Sequence, residues 1–180
     1  MVAAATLFHV QLTLSDVERS VYEELDLRLA QHPSESKRFL VTRLVAYALS
    51  YEDGIQFSKG GISSTDEPAV IVRDATDRIL AWVEVGSPSA ERLHRASKAA
   101  ERVALFTSGD LGVLEDAARA GEIHAASEID VVRLEASFLD AVGERLERRT
   151  AAELVHSGGR LYLTLGGQVL EGTIERGPLL

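Results

Sequence analysis

A chain of 180 residues, 46% hydrophobic and 26% charged, has the composition of a soluble globular protein, and its length suits a single domain over residues 1–180. The lack of cysteine excludes a disulfide framework and cysteine-based zinc sites, and no apolar run is long enough for a transmembrane helix. A net charge of −9 and a pI near 5.1 ill suit an anionic membrane surface and weigh against nucleic acid as a partner, while Met1–Leu7 lacks the basic stretch of a signal peptide, so a cytoplasmic protein is expected.

Taken in chain order, Thr6–Leu14 sets Leu7, Phe8, Val10, Leu12 and Leu14 among polar residues, mainly the period of a strand. Leu25, Leu27 and Leu29 alternate with charges inside Val17–Gln31. They predict a second strand paired to the first, although the run is also rich in helix formers. Pro33 then stops the chain, and Ser34 is expected to cap a helix reaching about Ser50, with Leu40, Leu44, Tyr47 and Ala48 on one side. Ile55–Ser58 predicts a short strand and Lys59–Thr65 a Gly/Ser loop. Strands are expected at Ala69–Arg73 and Ile79–Val85, with Asp74–Asp77 as the turn between them. After Gly86-Ser87-Pro88-Ser89 a helix is predicted to about Arg102, with Leu93, Ala96 and Ala100 inward. Val103–Thr107 and Ile129–Leu134 read as strands, and Leu111–Ala120 and Phe138–Arg149 as helices. The tail reads as a β-meander of Leu154–His156, Arg160–Leu165 and Val169–Ile174, turning at Gly158-Gly159 and Gly166-Gly167. The middle of the chain is therefore α-β-β-β-α-β, flanked by an N-terminal β-hairpin and the meander. This is an α/β (α+β) fold.

Carboxylates are the first candidates for chemistry. Asp66 and Glu67 precede one strand and Glu84 lies near the end of the next. Adjacent strands lie about 4.8 Å apart, so antiparallel pairing brings Glu84 near Asp66, Glu67 and Ala69. Carboxylates gathered at one point repel unless a hard cation such as Mg²⁺ collects them. The same residues also read as a strand-end carboxylate in water beside an acidic turn. Glu35 falls in the first turn of its expected helix, where complementarity to the helix dipole, worth about 0.3–1 kcal/mol, accounts for it.

Among the basic residues of the next helix, Arg95, Lys98 and Arg102 fall opposite Leu93, Ala96 and Ala100, as on a solvated face. A role in chemistry requires one of them to lean over the strand ends. Arg92 and Arg95 lie nearer Glu84, and Lys98 suits proton handling. Lys59-Gly60-Gly61 lacks P-loop spacing, and His9, His32, His94, His124 and His156 lack metal-ligand spacing and read as surface or capping residues. No G-x-S-x-G or G-x-G-x-x-G is present, which removes serine hydrolase and dinucleotide enzymes. Trp82 and Tyr162 read as core.

His32-Pro33-Ser34-Glu35, Phe57-Ser58-Lys59-Gly60, Asp66-Glu67-Pro68, Trp82-Val83-Glu84-Val85-Gly86 and Arg92 to Ala96, in this order and spacing, resemble the YaeQ family of bacterial proteins. The resemblance covers nearly the whole chain. It implies a variant of the PD-(D/E)XK nuclease core with a magnesium-dependent, endonuclease-like site served by Mg²⁺ or Mn²⁺. By the same resemblance Glu35 is the helix glutamate, Glu84 the second acid, and Pro68 the proline of the PD half. Ala69 stands where an aspartate is expected and offers no ligand, and Gly86 stands where a lysine is expected. Asp66 or Glu67 then replaces the aspartate, and Arg95 or Lys98 the lysine. The implied function is a nuclease-like phosphodiesterase site, degenerate at Ala69 and Gly86. The alternative is a catalytically inactive binding or regulatory module on the same fold, with a nucleic acid or a protein as partner.

Overall fold

Alternating side chains build the strands of this protein, and caps and left-handed glycines end them. The computed structural model describes residues 4–59 and 67–180; Met1–Ala3, the stretch 60–65 of the expected Gly/Ser loop, and Asp66 lie outside the described residues. The elements run β1 (Thr6–Asp16), β2 (Val21–Gln31), α1 (Lys37–Leu49), β3 (Ile55–Phe57), β4 (Val70–Arg73), β5 (Ile79–Val85), α2 (Ala90–Ala99), β6 (Arg102–Thr107), α3 (Gly112–Arg119), β7 (Asp130–Leu134), α4 (Ala136–Arg145), β8 (Arg149–Ser157), β9 (Arg160–Leu165) and β10 (Gln168–Pro178). This is a mixed α/β fold with four α-helices among the described residues. None of these helices is long and apolar enough to cross a membrane. The chain forms two compact units.

The first unit holds Met1–Leu49 and Leu134–Ile174. Here β1 and β2 form the expected antiparallel hairpin, with Leu12 opposite Leu25 and Val10 opposite Leu27. One face of the hairpin is buried through Phe8, Val10, Leu12, Leu14, Leu25, Leu27 and Leu29, as period-2 patterning requires. β8 pairs parallel to β1, with Leu14 opposite Leu154. β9 and β10 continue antiparallel, giving the order β2-β1-β8-β9-β10 in this unit. Gly158-Gly159 and Gly166-Gly167 all take positive φ, between 57° and 75°, as the tight turns demand. Helix α1 departs from expectation: Leu40 through Ala46 are all buried, so it has no single inner side. A helix apolar nearly all round is one enclosed by its surroundings. Helix α4 ends at Arg145, short of the expected Arg149, because Leu146 turns extended and Arg149 opens β8.

The second unit holds Ser50–Arg133 and Glu175–Leu180. β3, β4 and β5 form an antiparallel meander, with Phe57 opposite Val70 and Val70 opposite Val83. β5, β6 and β7 then run parallel, and α2 and α3 lie between them in the chain as crossovers. Trp82, Leu93, Ala96, Leu105, Leu114 and Ile129 share one core. Helix α2 stops at Ala99, not near Arg102, since Ala100 is extended and Arg102 starts β6, where it pairs with Glu52 at 2.8 Å. Between β4 and β5, Asp74 accepts from the Thr76 hydroxyl and from backbone N–H groups, which holds its carboxyl down at about 2.

Gly54 precedes β3 at φ +87°, and its carbonyl accepts from the N–H of Arg73. A Cβ there would overlap the Arg73 carbonyl oxygen, a backbone atom with no room to give. Gly54→Ala is therefore expected to cost about 1–3 kcal/mol through strain and overlap, read as a lower urea midpoint with an unchanged m-value. A midpoint equal to wild type would show that this turn adapts freely.

Candidate functional site

In the second unit the end of β5 carries the acidic centre. Residues 81–85 of β5 are all buried, because the strand is flanked on both edges and faces α2. Trp82 and Glu84, two apart on a strand, project to one side. The Trp82 Nε1–H donates to Glu84 Oε1 at 2.6 Å. Gly86, at φ +87°, and Ser87-Pro88 turn the chain, and Ser89 caps α2 by accepting the Arg92 N–H at 3.2 Å. That turn sets Arg92 over the strand end. Its Nε donates to Glu84 Oε1 at 2.6 Å, and an Nη donates to the main-chain carbonyl of Glu67 at 2.6 Å. Glu84 is 4% exposed, so this is a nearly buried ion pair.

The meander register explains why positions 67 and 84 approach one another. Val70 opposite Val83 puts the start of β4 beside the end of β5. Glu67 meets Arg92 through its carbonyl, however, while its carboxylate accepts from the Ser58 hydroxyl at 2.9 Å. Glu67, Ser58, Lys59, Arg73 and Asp77 line a cleft of about 230 Å³. Asp66, the other expected ligand, lies outside the described residues. Among the described residues no three His, Asp or Glu side chains converge where they could hold a metal ion.

Position 86 now has a physical account. A left-handed backbone favours glycine, and a lysine there would be strained. The turn that carries Arg92 onto Glu84 is therefore incompatible with the motif lysine. Arg95 and Lys98 are exposed on α2. Arg92 is the basic residue that the structure brings to Glu84. Its signal in the sequence was its place next to Leu93 at the capped end of the helix, on the side that turns toward the strand.

Glu35 belongs to the first unit, and its setting differs from expectation. Helix α1 begins at Lys37 and is capped by Ser36, whose Oγ accepts the Phe39 N–H at 3.1 Å. Ser34 lies instead in the turn before it, where it bonds the His32 ring. Glu35 thus precedes the helix and has no place in its first turn. Its carboxylate accepts from Arg43 at 2.8 Å and from the His32 N–H at 3.0 Å. Arg43 also donates to the Ala30 carbonyl at 3.0 Å. With Glu35 at 5% and Arg43 at 3% exposure, the pair ties the end of β2 to α1.

The sequence reading also missed His156. Expected at the surface or as a cap, it is 8% exposed, and its Nδ1 lies 2.9 Å from Oδ1 of the fully buried Asp16. The register of β1 on β8 sets these two residues opposite each other.

The family model described as YaeQ protein matches residues 1–174. The uncharacterized protein YaeQ of Escherichia coli K12 is 33% identical over 107 residues, and the alignment spans 59% of this chain and 59% of that protein. The Salmonella typhi protein of the same name is 33% identical over 106 residues, covering 59% and 58%. The chain thus spans somewhat under three fifths of the length of these curated relatives. The crystal structure of YaeQ protein from Pseudomonas syringae matches with a TM-score of 0.84 at 30% identity, covering 96% of this chain and 95% of that one. The YaeQ protein from Xanthomonas axonopodis pv. citri matches with a TM-score of 0.84 at 27% identity, covering 96% and 97%.

Proposed function

The chain belongs to the YaeQ family, and from that premise we propose that it is a binding or regulatory module built on a variant PD-(D/E)XK nuclease core. The core reading is supported by the chain order α1-β3-β4-β5-α2-β6, with an antiparallel meander followed by a helix and a parallel strand. Glu84 at the end of β5 fits the second acid of such a core.

One observation carries the module reading: Arg92 bridges the Glu84 carboxylate and the Glu67 carbonyl. Mg²⁺ or Mn²⁺ requires several free oxygens at one point. Here Glu84 Oε1 already accepts from two N–H donors, and one donor is itself a cation. Position 69 is an alanine and position 86 a left-handed glycine. As arranged, these residues do not fit a divalent cation. The net charge of −9 favours a protein over a nucleic acid as partner.

The second reading is a Mg²⁺-dependent phosphodiesterase, with Glu84 and Glu67 or Asp66 as ligands and Arg95 or Lys98 as the basic group. It is favoured by the approach of residue 67 to the Glu84 end of β5. Calorimetric titration with Mn²⁺, on wild type and on Glu84→Ala, separates the two. No saturable heat from either protein is the expected result. Saturable binding by wild type that disappears in Glu84→Ala would sink the module reading and favour the phosphodiesterase.

A further inference from the structure

Glu84 poses an electrostatic problem that the fold has to solve. A carboxylate 4% exposed is not stable as an anion without a counter-charge and hydrogen bonds. In a metal-dependent site a divalent cation supplies that charge. Here the guanidinium of Arg92 reaches two oxygens from separate segments, Glu84 Oε1 at the end of β5 and the Glu67 carbonyl before β4, each at 2.6 Å. Trp82 Nε1–H donates to the same Oε1 at 2.6 Å. A planar fork suits this bridging task better than the point charge of a lysine. The Arg92 side chain is 20% exposed, so it reaches the site from the solvent side.

We propose that Arg92 is the resident cation of this site: its guanidinium supplies the charge that a divalent ion would supply, and excludes such an ion while docked. The inference rests on the module reading and deepens it by naming what disables the acidic centre. It also accounts for Gly86, since the turn that delivers Arg92 is the one that a lysine at position 86 would strain.

The test is thermal unfolding of the full chain with and without millimolar Mn²⁺, against NaCl of equal ionic strength. Wild type is expected to show no Mn²⁺-specific shift. Arg92→Ala should melt roughly 5–10 °C lower, and Mn²⁺, but not NaCl, should recover at least about half of that loss by binding only the folded state. The double variant Arg92→Ala/Glu84→Gln removes the Glu84 anion as well and should not respond to Mn²⁺. If Arg92→Ala does not fold, Arg92→Gln, which keeps the length and an N–H donor, takes its place with the same expectations. A silent wild type with a silent Arg92 variant overturns the inference and leaves the module reading standing. An equal Mn²⁺ shift in wild type and variant overturns both. A response that persists in the double variant places the ion away from Glu84 and overturns the inference.

Discussion

Glu35→Ala is expected to lower the free energy of unfolding by about 3–5 kcal/mol, the cost of leaving a buried charge without its partner. The charge that loses its carboxylate is Arg43, 3% exposed, which also donates to the Ala30 carbonyl. The His32 N–H loses its acceptor as well. Urea unfolding of Glu35→Ala, Arg43→Ala and the double variant checks this. Because the two residues act as one pair, the double variant should lose clearly less than the two single losses added together. Its outcome bears on function too. The family resemblance assigns Glu35 to a metal site, and a carboxylate held ready for a metal would cost little stability on removal. A loss below about 1 kcal/mol would favour Glu35 as a residue held for the site. A large, non-additive loss establishes it as the clamp between β2 and α1.

Glu84→Ala should be the second most damaging change, at about 2–4 kcal/mol. Two donors, Trp82 Nε1–H and the Arg92 guanidinium, lose their shared acceptor. The expected loss is smaller than for Glu35 because the Arg92 side chain is 20% exposed and can turn to water, whereas Arg43 cannot. Glu84→Gln keeps an acceptor oxygen for Trp82 and should retain roughly half of that stability. Trp82 is the chain's single tryptophan, so its fluorescence reports on this site during unfolding. Equal losses in the Ala and Gln variants would mean that charge alone matters here and that the indole hydrogen bond contributes nothing.

These two carboxylates mark the boundary of what was legible. β5 was readable to its end residues, Ile79 and Val85, because an apolar run between turn residues is a local signal. The β1–β2 hairpin, the break at Gly86-Ser87-Pro88-Ser89 before α2 and the glycine turns of the C-terminal meander were readable for the same reason. Each depends on residues only a few positions apart, through side-chain period or a φ that glycine alone takes easily. The approach of residue 67 to Glu84 was readable one step further, from antiparallel pairing of neighbouring strands.

What each carboxylate does there was decided by tertiary structure. The choice of Arg92 over Arg95 and Lys98 depends on how α2 leaves β5 and packs back over it, which spacing along the helix does not specify. Whether α1 starts at Ser34 or Ser36 turns on which hydroxyl the folded chain brings to a free N–H, and the burial of Arg43 then draws Glu35 inward. Asp16 and His156, 140 residues apart, meet only because β8 pairs parallel to β1 in one register. The sequence by itself thus determined where most strands and turns lie and that residue 67 comes near the end of β5. The tertiary structure decided which cation answers each buried acid, because a buried charge selects its partner by distance in space and local patterns carry no record of that distance.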